Sequence, residues 1–538
     1  MSLVHEALEG TDSAIFFGSL SILLVIAAVI IAWPEATASH LATVNTAVVS
    51  NVSWLFLWLV FVSFCFLMYI LLGPWGNIKL GSPDEEPDLS YAGYLVMIFT
   101  AGLSSGGLEY WGPVEPLVHY QTAPPFFGSN VGTWAGMTNA LQYAIFHYGT
   151  SAWSVYLVFG IAVSYFAYRK DMPFRPAVIL APFVGTDNVD GWLGKTVDTL
   201  AVVVSVSGIT ISFGLGVNQF LAGLSYNWGV HVGTLGEVLF ILLITVVFLL
   251  SVTAGIQEGI QRFANLNVIV LLVLMAVALV FGPMSFLLNV GTQAIKGYMT
   301  DFVGMSLYFT PAATSWYGSW TVFFWAWWLT FAPMVGVFMA RISRGRTLRQ
   351  LVFAGMLGSF ALTVPWYVAT GGSALWLQTT GQADLLGVYS EVGLAGVSFA
   401  LFDQLLPFAN LFSAILLLLV LSFLITTLDS ATFSFSMIAN KGEPSPSTLN
   451  RITWGIVLAA LTIALSLAGG ISVLRSFTVL AGIPAAGLCL IALVGMIIQL
   501  ERHAPVLLEE TDDMDDKMIS SVRSRLPNRI TEQQPTDD

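Results

Sequence analysis

Residues 321–346 read Thr-Val-Phe-Phe-Trp325-Ala-Trp327-Trp328-Leu-Thr-Phe331-Ala-Pro333-Met-Val-Gly336-Val-Phe338-Met-Ala-Arg341-Ile-Ser-Arg344-Gly-Arg346. The apolar run ahead of Arg341 has the length of a membrane-spanning helix, for which about 20 residues are needed. Three tryptophans stand within four positions of it. Leu or Ile would satisfy lipid equally well, and tryptophan in membrane proteins usually collects in the interfacial belt. Indole faces are the best of the aromatic rings at attracting a desolvated cation. A cluster at membrane depth therefore points to a site that holds a positively charged ligand on its way through a bilayer.

The rest of the chain agrees with that setting. Of 538 residues, 56% are hydrophobic and only 9% charged, and the mean hydropathy is +0.80. A soluble domain carries about 25% charged residues, so the chain reads as an all-α polytopic membrane protein. The N-terminus carries Glu6, Glu9 and Asp12 and no Lys or Arg before Lys79. It lacks the basic region of a signal peptide, so the first apolar run reads as a retained helix. Cys65 and Cys489 both lie in apolar segments and read as packing residues. The net charge of −13 resides in loops and tails, mainly 84–88 and 509–516. It forms a solvated acidic surface of the kind that also suits a salty habitat.

Twelve spans can be placed: 13–33, 52–73, 91–111, 137–167, 198–222, 235–254, 265–288, 318–340, 351–371, 397–428, 452–470 and 476–499. The stretch 289–317, with Lys296, Asp301 and the break Thr310-Pro311, is too polar to span and is expected to lie along the surface as an amphipathic helix. With both termini cytoplasmic, seventeen Lys and Arg residues fall inside and only Lys296 and Arg475 outside, as the positive-inside rule requires. The predicted organisation is a cytoplasmic tail over 1–12, two peripheral helices over 13–90, a bundle over 91–288, the connecting segment 289–317, a second bundle over 318–500 and a cytoplasmic tail over 501–538. The tail turns from acidic to a short basic patch of Arg523, Arg525 and Arg529, and is expected to be disordered or weakly helical.

Several spans carry residues that lipid-facing helices avoid. The third runs Thr100-Ala-Gly102-Leu103-Ser-Ser-Gly106-Gly107-Leu-Glu109, then Pro113 and Glu115. Poor helix formers and a proline predict a break. Interruptions are also expected at Ser212–Gly216 in the fifth span, at Pro333 and Gly336 in the eighth, and at Thr426-Thr427 in the tenth. Irregular backbone at membrane depth persists only where protein or a polar cavity satisfies it, and transporters build their sites at such breaks; close helix packing is the competing explanation.

Glu109 lies deep among glycines and aromatics. It is a candidate counter-charge, proton carrier or partner of a buried polar group, because an intramembrane carboxylate needs a reason. Glu115 reads more simply as a cap. Thr426 and Thr427 offer hydroxyls to a hard monovalent cation, or to carbonyls of their own helix. Tyr148, Trp153 and Tyr156 fall near one helical face of the fourth span and could complete, with the tryptophans of the eighth, an aromatic box for a quaternary ammonium. The six histidines are scattered along the chain, and there is no metal-ligand cluster, nucleophile elbow or phosphate loop. These absences argue against an enzyme, and the lack of a basic patch argues against nucleic-acid binding.

The stretch from Phe324 to Thr347 closely resembles the signature of the betaine/choline/carnitine transporters. Glu115-Pro116, Trp153-x-x-Tyr156, Gly214-Leu-Gly216 and Thr426-Thr-Leu-Asp429-Ser agree in order and spacing. The resemblance implies a leucine-transporter-like core of inverted five-helix repeats, 91–288 and 318–500, preceded by two extra helices and assembled as a homotrimer in the plasma membrane. It implies a substrate box of Tyr148, Trp153, Tyr156 and Trp328 with Trp327 beside it, and a pathway lined by Trp325 and Phe338. It also implies a sodium site of Thr426 and Thr427 with carbonyls of Phe423, Thr100 and Leu103. Glu109 and Phe331 stand where this chain departs from the family pattern, and they bear on substrate identity.

The expected function is sodium-coupled uptake of a quaternary ammonium solute such as glycine betaine by alternating access, with sodium as coupling ion and no cofactor. The alternatives are a sodium-independent carnitine/butyrobetaine exchanger and proton-coupled choline uptake. A channel or an osmotic receptor is the reading from a different class.

Overall fold

A computed structural model of the chain describes residues 10–102, 105–128, 130–254, 257–443 and 445–525, with side chains up to Arg502 apart from a few beside those gaps. The described residues are mostly helical and form no strand; Lys79 and Thr347 make an isolated bridge. The main helices are α1 (Ser13–Ala32), α2 (Pro34–Leu72), α3 (Tyr91–Gly102), α4 (Leu108–Gln121), α5 (Trp134–Tyr148), α6 (Thr150–Lys170) and α7 (Trp192–Trp228). They continue as α8 (Thr234–Ala254), α9 (Gln257–Phe281), α10 (Met284–Leu307), α11 (Thr321–Arg341), α12 (Leu348–Thr379), α13 (Gly396–Leu405), α14 (Ala409–Ala439) and α15 (Thr448–Arg525). Ten helical segments among the described residues are long and apolar enough to cross a membrane.

A helix that is hydrophobic on all sides must be buried in protein or face lipid, and burial sorts the helices into these two kinds. The most apolar window is 100% buried in α5–α6, 94% in α11 and 89% in α7, against 33% in α1 and 28% in α8 and α9. The tryptophan-bearing α11 is thus at the centre, packed on α6, α7 and α15. Outer helices present Leu235, Leu239, Leu243 and Leu250 outward.

The break predicted in the third span forms: α3 stops at Gly102 and α4 starts at Leu108. The other three do not. Helix α14 runs unbroken through Thr426-Thr427, α11 through Pro333 and Gly336, and α7 through Ser212–Gly216. In each the small or hydroxylated residue serves packing or its own helix. Thr426 donates to the carbonyls of Ser422 and Phe423 at 2.9 and 3.1 Å. Gly336 lies against Phe159 and Gly160, and Gly216 against Ser105.

One interruption was not singled out from the residue pattern: Gly149 separates α5 from α6 directly after Tyr148. Gly469 and Gly470 adopt φ of 158° and 63° and turn the chain inside α15, at the end of the expected span 452–470. The polar segment begins its helix at Met284, earlier than residue 289, and leaves it before Thr310-Pro311. Helix α2 starts at Pro34, so it is longer than the expected span; proline suits a first helical position. The expectation of a weakly structured tail meets a helix continuing to Arg525; Arg529 lies outside the described residues.

At the end of α11 the basic turn 341–349 is bound to the loop 73–90. Arg349 donates to the carbonyls of Leu71 and Gly73 at 2.9 and 2.8 Å, and Arg344 pairs with Glu85. Arg346 lies over the ring of Tyr94 at 5.0 Å and donates to the carbonyl of Leu89. Part of the acidic loop is therefore an ion-pair partner, beyond the solvated face expected from its composition.

Candidate functional site

Four rings converge where α5, α6 and α11 meet. Trp328 lies 5.4 Å from Tyr148, 5.0 Å from Tyr156 and 6.0 Å from Trp153, centroid to centroid. With Trp327, Phe331, Gly102, Gly107, Leu108 and Thr363 they line one cavity. The break at Gly149 allows this: it ends α5 at Tyr148 and restarts α6 so that Trp153 and Tyr156, one turn apart, face the same space. Phe99 stacks on the outer side of Trp153 at 6.2 Å and 13°, fixing its plane. Tyr148 Oη, Trp327 Nε1 and Trp328 Nε1 are buried with no hydrogen-bond partner among the described residues. The pocket thus combines π faces with donors.

The α3–α4 break contributes to the cavity wall through Gly102, Gly107 and Leu108, and four of the backbone groups around it have side-chain partners. Glu109 accepts from the Gly106 N–H at 2.8 Å, and Thr427 Oγ1 accepts from the Ser105 N–H at 3.0 Å. The Leu108 carbonyl accepts from Trp366 Nε1 at 2.7 Å; that of Glu109 accepts from Gln219 and Ser398 at 3.2 and 3.1 Å. Side chains from α7, α12, α13 and α14 thus supply what bilayer lipid cannot. Of the roles weighed for Glu109, its geometry matches the partner of a buried polar group, since its carboxylate folds back on the loop instead of lining the box.

A second cavity lies beyond Phe331, which lines both. Its walls include Thr100, Asn267, Phe338, Phe423, Thr426 and Thr427. The carbonyl of Phe423 accepts from Thr426 and the Thr100 hydroxyl donates to the Val96 carbonyl at 2.8 Å; both contacts leave lone pairs on the Phe423 and Thr100 oxygens for a cation. Leu103 lies outside the described residues. Phe338 is on the cavity wall, whereas Trp325 turns away: it packs on Phe146 and His147 at 5.2 and 5.8 Å and lines neither cavity. Its indole belongs to the α5–α11 packing.

The residue pattern missed two features. Asn267 of α9 donates to Thr426 at 3.3 Å; an Asn inside an apolar span was its available signal. The second corrects the view that the histidines are scattered and that Glu115 is a simple cap. Buried Glu115 Oε1 meets His147 Nδ1 at 2.5 Å and His119 Nε2 at 3.2 Å, and the Tyr367 hydroxyl donates to Oε2 at 3.4 Å. His147 Nε2 also meets Thr321 Oγ1 at 2.9 Å. The Glu115 and two His donor atoms lie within 4.8 Å of one another, close enough for metal ligation. As they stand the contacts are a hydrogen-bonded brace behind Tyr148, joining α4 and α5 to α11 and α12.

A model described as the BCCT, betaine/carnitine/choline family transporter, matches residues 14–505. The chain is 33% identical over 491 residues to the glycine betaine transporter OpuD of Bacillus subtilis, covering 90% of this chain and 94% of that one. It is 35% identical over 444 residues to a probable glycine betaine transporter of Desulfitobacterium hafniense (82% and 88% covered). It is 32% identical over 434 residues to an ectoine/hydroxyectoine transporter of Virgibacillus pantothenticus (80% and 85%).

Proposed function

The chain belongs to the betaine/carnitine/choline transporter family, and we propose that it takes up a zwitterionic quaternary ammonium solute such as glycine betaine, coupled to sodium. It is a multi-pass membrane transporter and not an enzyme. The observation that carries the substrate reading is the box: Tyr148, Trp153, Tyr156 and Trp328 surround one cavity. Cation–π contacts there contribute about 0.5–2 kcal/mol each. The unpartnered donors Trp327 Nε1, Trp328 Nε1 and Tyr148 Oη favour a substrate that also brings an acceptor.

In this reading 91–288 and 318–500 are inverted repeats that rock around the box. The ten apolar segments become twelve spans when α3–α4 is added and the Gly469-Gly470 turn divides α15. Both ends are cytoplasmic, and three copies assemble in the lipid bilayer. Sodium in the cavity beyond Phe331 would be held by Thr427 and Thr426. The Ser105 N–H to Thr427 bond ties that cavity to the break whose Gly102, Gly107 and Leu108 line the box. Ion and substrate therefore bias one element, and their coupling is reciprocal. A second reading, sodium-independent exchange, is favoured by the commitment of the Thr426 hydroxyl to its own helix and to Asn267.

Uptake of labelled glycine betaine into proteoliposomes, with sodium replaced by potassium, separates the two; undiminished transport rejects sodium coupling. In the same preparation Trp328→Leu is expected to fold while weakening betaine binding by about 1–2 kcal/mol, read by tryptophan fluorescence titration. Unchanged affinity would remove the box from the mechanism.

A further inference from the structure

The break between α3 and α4 brings backbone donors beside the box, and protein oxygens already hold two of them. Thr427 Oγ1 accepts from the Ser105 N–H at 3.0 Å, and Glu109 Oε1 accepts from the Gly106 N–H at 2.8 Å. The N–H groups of Gly107 and of Glu109 itself also act on that carboxylate. Helix α4 runs 14 residues from Leu108, and its N-cap, Gly107, brings no side chain. The N-terminus of a helix carries partial positive charge and attracts anions. In this protein a carboxylate from the helix's own first turn fills that place.

Glu109 is 2% exposed, and no Lys, Arg or His pairs with it among the described residues. A buried carboxylate at membrane depth is costly and marks a functional position. Its main chain is fixed, because the Glu109 carbonyl accepts from Gln219 at 3.2 Å and Ser398 at 3.1 Å. The two residues before it, Gly107 and Leu108, line the box, and Glu109 acts electrostatically on Tyr148, another lining residue. The buried donors of the box without a partner among the described residues, Tyr148 Oη, Trp327 Nε1 and Trp328 Nε1, stand on α5 and α11 instead.

We propose that Glu109 is a specificity-determining residue that acts without touching the substrate: as a built-in anion at the N-terminus of α4, it withholds that terminus from a zwitterion's carboxylate and reverses the polarity of this wall in favour of the ammonium. This deepens the uptake reading above and rests on it. A bare helix N-terminus draws in a carboxylate and repels a cation. With Glu109 in place the wall favours the cationic end of any quaternary ammonium, and a carboxylate is left to the donors of α5 and α11. A plain cation such as choline gains from the same wall and lacks only that second contact. Removing the charge therefore penalises choline and relieves a zwitterion.

The test measures Kd for glycine betaine and for choline by tryptophan fluorescence titration of wild type, Glu109→Gln and Glu109→Asp. Glu109→Gln keeps an acceptor for Gly106 and loses the charge, so the choline-to-betaine ratio of Kd is expected to rise about fivefold or more. Glu109→Asp, one methylene shorter, draws the carboxylate back from Gly106 and should raise the ratio by less. A loop-bracing role alone would weaken both solutes together and leave the ratio where it was. A ratio that stays or falls in a folded Glu109→Gln overturns the inference, and if that variant does not fold, the same result in Glu109→Asp does so. A wild type that binds betaine and no choline also overturns it. Betaine binding that remains sensitive to Trp328→Leu while the ratio ignores Glu109 rejects this inference alone. A wild type that binds no quaternary ammonium rejects both this inference and the uptake reading.

Discussion

Gly102 sets the shape of the box. A Cβ there would lie 2.2 Å from Trp153 Cη2, and Phe99 of the same helix stacks on that indole, so the added methyl must displace either the indole or α3. Gly102→Ala is expected to weaken glycine betaine binding tenfold or more, about 1.4 kcal/mol. Overpacking should cost about 1–3 kcal/mol in stability. Fluorescence titration against a melting curve in the same detergent separates the two, and unchanged affinity would mean that α3 moves instead. The box side chains were legible in the sequence because their chemistry is carried by residue type: clustered Trp and Tyr at membrane depth offer π faces to a cation, although Trp325 of the same cluster serves packing. The part played by Gly102 was not, since no pattern states what stands opposite a glycine. The sequence read Glu109 as a functional candidate and Glu115 as a cap, and their partners differ: a loop N–H for one, two histidines for the other.

At the scale of elements, the α3–α4 break was legible because glycines and serines accumulate there, and Gly106 adopts φ of 69°; Pro113, expected to break the helix as well, lies inside α4, which continues through it. Its stability comes from elsewhere, through donors such as Trp366. Trp366→Phe removes the donor to the Leu108 carbonyl and should destabilise the protein by about 1–3 kcal/mol; an unshifted melting temperature would show that the carbonyl finds another donor. The expected breaks in α7, α11 and α14 failed for a common reason. Gly, Pro and Thr in an apolar run fit either an opened helix or a closely packed one, and the choice depends on what packs against them. Where Ser105 meets Gly216 and where Phe159 meets Gly336, close approach was the outcome.

Across the whole molecule, the start of α1 is tied to α7 and to the end of α14 by charges outside the spans. Asp12 caps α1 and pairs with Lys195 at 2.9 Å and Lys441 at 3.1 Å. Burial raises the Asp12 pKa, but hydrogen bonds from Lys195, Lys441 and the Ile15 N–H outweigh it and hold the carboxyl at about 2, below its ordinary 3.8. A depressed folded value contributes stability that is full above pH 3.8 and lost as pH falls towards 2. Asp12→Asn should therefore melt earlier than wild type at pH 7, by at most about 2 kcal/mol, with the gap closing between pH 4 and 2. A gap that does not vary with pH would assign the effect to capping alone. By itself the sequence determined the membrane environment, the helical class and the aromatic residue types that line the cavity, because hydropathy, span length and π chemistry depend on composition and short-range order. Only the tertiary structure decided that Trp325 packs away from the cavities and that Glu115 gathers His119 and His147. These depend on contacts between helices far apart in the chain, where three-dimensional packing sets which faces meet.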